Sequence, residues 1–237
     1  MKDTAESIEF FTPKLGLDIQ PYIEAGQKQG IHHLARYHWA CLALEEARPR
    51  TILDIACGAG YGSYILAQAF PDTEVIGADY DARAVDYAKI HFAAQNLRYA
   101  QGDIVKWLTG ESPLGVYDAI TSLDTLEHLL HREIALQNFA DNLSRFGVLL
   151  LSTPCGHSES RLNPGWEHHK LEYSYRDLYA FLKRYFTTVS YPGEAEFIGL
   201  QFWKDVVNRD TVRYLNRMNP VICSGPLRSS KLPVPVL

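Results

Sequence analysis

The chain has 237 residues, 46% of them hydrophobic, enough for one sizeable core with a small appendage. Lys and Arg number 23 against 28 Asp and Glu, and the resulting formal charge of −5 argues against non-specific grip on a phosphate backbone, so nucleic acid is not expected as the main partner. No apolar run approaches the ~20 residues that span a bilayer, and the acidic start MKDTAESIEFF is unlike a signal peptide. The four cysteines, Cys41, Cys57, Cys155 and Cys223, form no CxxC pair, so a cytoplasmic, thiol-reduced protein is expected.

Residues 1–29 are broken up by Pro13, Gly16, Pro21 and Gly26. From His32 to Arg48 the apolar positions fall at helical spacing until Pro49 stops them. Strand patterns then follow at 51–55, 73–78, 97–100, 117–122, 147–153 and 186–191, separated by helical patterns around 61–69, 82–95, 131–145 and 174–184. Strands spaced by helices of that length imply βαβ units and a mostly parallel sheet. In the tail, 201–217 reads as a helix, 221–225 as a last strand, and 226–237, with three prolines, as extended chain. The expected organisation is one α/β domain in three stretches. These are an N-terminal helical cap over 1–50, the α/β core over 51–191, and 192–237 as a helical insertion, last strand and extended tail. The insertion would serve as a lid or as a homodimer contact.

The stretch 52-ILDIACGAGYG-62 runs a hydrophobic strand into Ala56, Cys57, Gly58, Ala59 and Gly60, after which a helix begins. Small residues let the backbone turn tightly and approach a ligand at the helix N-terminus. No Lys follows, as a P-loop would need, and the spacing Gly58-x-Gly60-x-Gly62 departs from the dinucleotide pattern. Asp54, just before the loop, would repel a pyrophosphate but pair with an ammonium group. Asp79, at the end of 75-VIGADYD-81, is placed to accept both hydroxyls of a ribose. Asp103 in 101-QGDIV-105 is placed to accept from an adenine amino group, with Ile104 against the ring. Each Asp alone could equally cap a turn. Three of them after successive strands point to a ligand with ribose, adenine and an amino-acid ammonium but no phosphate.

The stretches ILDIACGAGYG, VIGADYD, QGDI, YDAITSLDTLEHL and GVLLLSTP resemble the successive motifs of class I S-adenosylmethionine-dependent methyltransferases, over about residues 31–191. That resemblance implies a Rossmann-like fold, with a seven-stranded, mostly parallel sheet flanked by helices and S-adenosylmethionine at the strand carboxyl ends. It implies cofactor contacts from Asp54, Ala56, Cys57, Gly58, Gly60, Asp79, Tyr80, Asp103, Ile104 and Leu123. The segment 32-HHLARYHWACLA-43 is similar to one in methyltransferases associated with bacterial glycans. Arg36 and Tyr37 within it are candidates to cover the cofactor.

In 121-TSLDTLEHLLHRE-133, Asp124, Glu127 and His128 follow the fourth strand at spacings that a helix would bring to one face. Two carboxylates and imidazoles from two loops form a plausible oxygen/nitrogen site for Mg²⁺ or another divalent cation. The elements 124-DTLEH-128 and 169-HKLEY-173 resemble the metal site of small-RNA 3′-terminal 2′-O-methyltransferases, which implies Asp124, Glu127, His128 and His169 as ligands. A metal-free site remains open, with His128 as general base and Glu127 and Asp124 beside it. So does a purely structural role. The expected reaction is methylation of a hydroxyl on a small molecule or glycan intermediate. The alternatives are a small-RNA 2′-O-methyltransferase, an N-methyltransferase or an inactive α/β interaction module. Trp166, Trp203, Tyr214 and Met218 are expected to give the acceptor pocket an apolar wall.

Overall fold

Apolar strand segments and the helices between them build the framework that positions the site. The computed structural model describes residues 11–107, 115–157, 159–165, 167–191 and 220–229. The 201–217 stretch and Trp166, Trp203, Tyr214 and Met218 lie outside the described residues. The strands are β1 Thr51–Ile55, β2 Glu74–Asp79, β3 Leu97–Gln101, β4 Tyr117–Leu123, β5 Leu143–Ser152, β6 Cys155–His157, β7 Arg161–Leu162, β8 Leu171–Ser174, β9 Phe186–Ser190 and β10 Val221–Pro226. The helices are α1 Gln20–Glu24, α2 Lys28–Glu45, α3 Tyr61–Ala69, α4 Ala82–His91, α5 Arg132–Asn142 and α6 Tyr175–Leu182. Among the described residues none is long and apolar enough to cross a membrane.

Seven strands form one sheet in the order β3-β2-β1-β4-β5-β10-β9. β10 runs antiparallel to both its neighbours, and the pairs from β3 through β5 are all parallel. The parallel strands are apolar on both sides because helices cover both faces. Leu53, Ile55, Ile120, Leu149 and Leu151 face the α5 residues Leu136 and Phe139. Ile52, Val75, Ala119 and Leu150 point the other way, into a cluster with Leu34 and Ala40 of α2 and Leu66 of α3. β1 lies between β2 and β4, so successive connections leave it in opposite directions and open a crevice at its carboxyl end.

Two expected helices end early. The pattern over 131–145 stops at Asn142, and the chain is already a strand from Leu143. Leu143 pairs with Tyr117, but Val148 is the partner of Ala119, so residues 144–147 bulge out of the ladder. The helix expected over 82–95 ends at His91. Asn96 is drawn away from it, its side-chain amide donating to the carbonyls of Ala67, Phe70 and Thr73 at 2.9–3.1 Å. The stretch 155–174, which carries no clear strand pattern, folds into a second small sheet in the order β6-β8-β7. It carries residues 168–170 back to the main sheet's carboxyl edge, where the Lys170 amide donates to the Glu127 carbonyl at 2.7 Å.

Candidate active site

After β1 the chain turns through Ala56, Gly58 and Gly60 at φ of 64°, 53° and 86°. Gly60 is required twice over. Its φ is left-handed, and a Cβ there would sit 2.5 Å from that of Ala88 and 2.9 Å from the Tyr99 hydroxyl oxygen. This tight turn aims the Gly58 amide at Asp79 Oδ2, 2.9 Å away, while the Asp81 amide donates to Oδ1 at 3.0 Å. Burial pushes the Asp79 carboxyl above its usual range. Asp103 Oδ1 accepts from the amides of Val105 and Lys106 at 2.8 and 3.2 Å, so this carboxylate caps its own turn as well as facing the crevice.

A cavity of about 480 Å³ opens along this edge. On the β2 and β3 side its wall includes Asp79, Tyr80, Asp103 and Ile104, and the first loop supplies Ala56 and Gly58. On the β4 side it includes Asp124, His128, Leu129, His168 and Lys170. Asp54, Cys57, Gly60 and Leu123 stand behind this wall. Asp54 is 1% exposed. Its Oδ2 accepts from Ser63 Oγ at 2.6 Å, its Oδ1 from Thr121 Oγ1 at 2.7 Å, and the Tyr37 hydroxyl lies 3.3 Å from both oxygens. Burial outweighs these donors and raises the Asp54 carboxyl to about 6. Asp54 therefore organises strand ends. Burial also pushes the Cys57 thiol up, with Asp54 and Asp79 adding to the effect, which leaves it unsuited to nucleophilic work.

The turn after β4 does not bring its three polar residues to one helical face. Asp124 has φ of 52°, and only Leu126–His128 form a short 3-10 turn. The Asp124 amide donates to the Ser152 carbonyl at 2.9 Å, and its Oδ1 accepts from Ser152 Oγ at 3.0 Å. Its Oδ2 lies 2.5 Å from Arg36 Nη2. Glu127 is buried, and its Oε2 accepts from Thr153 Oγ1 at 2.8 Å. Burial first, and the neighbouring Asp124 charge second, push the Glu127 carboxyl well above its usual range.

His128 Nδ1 lies 3.0 Å from the His168 carbonyl, so Nδ1 is the donor of that pair. Its Nε2 is 3.8 Å from Glu127 Oε1. His169 Nδ1 lies 2.7 Å from Glu172 Oε1, and the two imidazole rings meet edge to face at 5.0 Å. Glu127, His128 and His169 each offer a ligand atom within 4.8 Å of the others. Asp124, expected as a fourth ligand, stands outside this group with its carboxylate on Arg36.

Arg36 and Tyr37, candidates either to cover the cofactor or to pack their helix on the sheet, bond Asp124 and Asp54 and do not wall the cavity. Sequence reasoning did not single out the hydroxyls of Ser63, Thr121, Ser152 and Thr153 or the carboxylate of Glu172. One signal was available for three of them: the apolar strands β4 and β5 run into Thr121, Ser152 and Thr153, polar groups that need partners once buried.

Comparison with known proteins bears on the fold and the family. A family model described as a methyltransferase domain matches residues 48–210. A trans-aconitate 2-methyltransferase of Deinococcus radiodurans is 31% identical over 119 residues, covering 50% of this chain and 43% of that one. A malonyl-[acyl-carrier protein] O-methyltransferase of Halalkalibacterium halodurans is 27% identical over 133 residues, covering 52% and 49%. The chain thus spans less than half the length of these relatives. Among solved structures, the O-methyltransferase of a trans-AT PKS multienzyme of Brevibacillus brevis, in complex with S-adenosyl-L-homocysteine, superposes with a TM-score of 0.58 at 13% identity, covering 91% of this chain and 83% of that one. The N-terminal domain of EvdMO1, with S-adenosylhomocysteine bound, gives 0.52 at 19% identity, covering 64% and 72%. The likeness to these structures concerns the fold, whereas the family model matches well over half of the sequence: the chain belongs to the class I S-adenosylmethionine-dependent methyltransferases.

Proposed function

We propose that the protein transfers a methyl group from S-adenosylmethionine to a hydroxyl oxygen of a small molecule or glycan intermediate. The observation that carries this reading is a single cavity walled by Asp79, Asp103 and Ile104 on one side of β1 and by His128 on the other. The first set suits a ribose and an adenine, and the second a reacting hydroxyl. When bound, the cofactor supplies an already electrophilic methyl group, so the chain must bind, align and accept a proton. Asp79, braced by the Gly58 and Asp81 amides, would hold the ribose hydroxyls, with Ile104 against the adenine. His128 would take the hydroxyl proton on Nε2, because its Nδ1 proton is held by the His168 carbonyl. Burial and the neighbouring Asp124 charge favour the protonated form of Glu127.

Calorimetric titration with S-adenosylhomocysteine against NAD⁺ tests the first half. Tight NAD⁺ binding without response to S-adenosylhomocysteine overturns the reading, and binding of neither favours an inactive interaction module. For the second half, product analysis after transfer of a labelled methyl group distinguishes oxygen from nitrogen acceptors. His128→Ala should lower kcat by about 10²–10⁴-fold with S-adenosylhomocysteine affinity unchanged.

The Glu127, His128 and His169 group favours a second reading, in which a divalent cation assists the same reaction. The donor set fits such an ion. Two imidazoles are oriented through Nδ1 by the His168 carbonyl and the Glu172 carboxylate, as ligating histidines commonly are. Those three residues would hold the ion, which when bound would acidify the acceptor hydroxyl. Elemental analysis of the purified protein, with activity in excess EDTA, decides between the readings. Full activity with no bound ion ends the second.

A further inference from the structure

The N-terminal helix reaches the methyl-transfer side of the site without walling the cavity. Arg36 is 6% exposed, and it joins two elements far apart in sequence. One arm of its guanidinium, Nη1, lies 3.3 Å from His33 Nδ1 on its own helix, and the other, Nη2, lies 2.5 Å from Asp124 Oδ2. We infer that Arg36 is a positioning residue. From α2 it clamps Asp124, and so holds the 124–128 turn that carries Glu127 and His128 in the form the site needs.

Three observations support this. Asp124 takes a left-handed backbone conformation, which costs a residue with a Cβ energy that its contacts here offset. The holding contacts are the Asp124 amide on the Ser152 carbonyl, Ser152 Oγ on one carboxylate oxygen and Arg36 on the other. Next, Asp124 walls the cavity and Arg36 does not, so the guanidinium acts from behind and balances the charge of a half-buried carboxylate at the cavity surface. Finally, the adjacent Tyr37 bonds Asp54 at the end of β1, and its ring fills the space above Gly62, where a Cβ would sit 1.9 Å from it. Residues 36 and 37 therefore tie one helix to the carboxyl ends of two neighbouring strands, β1 and β4. The helix braces the frame on which the two sides of the site are mounted.

The inference rests on the proposed function only in assigning the 124–128 turn to the acceptor side. The test compares the full chain with Arg36→Gln, Arg36→Lys and Asp124→Asn, after circular dichroism has shown each to be folded. Amide hydrogen exchange is followed in peptides covering 123–129, 51–60 and 74–79, alongside calorimetry with S-adenosylhomocysteine. Arg36→Gln should speed exchange at 123–129 about tenfold or more while leaving 74–79 unchanged and S-adenosylhomocysteine affinity within about threefold. Asp124→Asn should show the same local pattern, and Arg36→Lys should restore part of the protection, because it keeps the charge for Asp124 but not the second arm to His33. Unchanged exchange at 123–129 in Arg36→Gln would overturn the inference, as would an equal rise in all three peptides, which marks general loosening. If the wild-type chain failed to bind S-adenosylhomocysteine, the methyltransferase reading would fall, and the exchange pattern would still judge the brace.

Discussion

Asp54, Asp79 and Asp103 stand at or after the ends of three successive strands, yet they differ in what they serve. Asp79 and Asp103 wall the cavity, whereas Asp54 is enclosed by hydroxyls from α2, α3 and β4. The position of all three at the sheet edge was legible in the sequence from strand pattern alone. The enclosure of Asp54 was not, because its partners Tyr37, Ser63 and Thr121 come together only once the sheet and two helices have packed. This enclosure has a consequence for stability. The folded pKa of about 6 exceeds the 3.8 of an unburied carboxyl, so the native state holds the proton more tightly than the unfolded chain. The contribution is fully present below pH ~4 and is lost as pH rises through ~6, amounting to about 3 kcal/mol across that window. Asp54→Asn removes the titration. Urea unfolding from pH 4 to 7 should show wild-type stability falling by about that amount relative to the variant, and parallel curves would contradict the assignment.

At the scale of elements, β1 through β4 and α3 follow from hydrophobic pattern and glycine punctuation because each is local. The start of β5 and the small sheet over 155–174 depend instead on which strand lies alongside, information that a single-sequence pattern does not carry. The 3-10 turn after β4 is of the same kind: the spacing of Asp124, Glu127 and His128 suited a helix, but the bonds to Ser152 and the 168–170 loop select a tighter path. Helix α2 was legible as a helix, but its docking through His32, His33 and Arg36 was not. Burial and the Arg36 charge hold both imidazoles down to about 3. Here the sign is opposite to that of Asp54. A folded pKa below the usual 6.5 gives stability that is present above pH ~6.5 and lost on acidification, about 2 kcal/mol per imidazole by pH 5. His33→Gln keeps an acceptor for Arg36 and removes one proton site. Its stability loss between pH 7 and 5 should be about 2 kcal/mol smaller than that of the wild type, as measured by urea unfolding. Equal losses would place the acid sensitivity elsewhere.

For the molecule as a whole, the cavity draws its wall from the ends of β1 through β4, the start of α4 and the 168–170 loop delivered by the small sheet. These segments are joined in space only in the folded state, so a ligand that touches them binds the native chain and not the unfolded one. At a concentration about 100 times its Kd, S-adenosylhomocysteine should then stabilise the fold by about 2.7 kcal/mol, raising Tm by roughly 5–10 °C for a chain of this size. Asp79 is where the effect can be switched off. Removing a buried charged acceptor from the ribose costs about 2 kcal/mol, or about 30-fold in affinity. At the same ligand concentration Asp79→Ala should therefore gain only about 0.9 kcal/mol, a rise of roughly 2–3 °C. On the proposed reading NAD⁺ should leave both proteins unmoved, because the loop spacing Gly58-x-Gly60-x-Gly62 departs from the dinucleotide pattern. Calorimetric scans of wild type and variant, each alone and with either ligand, make the comparison. An undiminished S-adenosylhomocysteine shift in Asp79→Ala would remove Asp79 from the ribose site, and a shift with NAD⁺ in the wild type would undo the cofactor assignment.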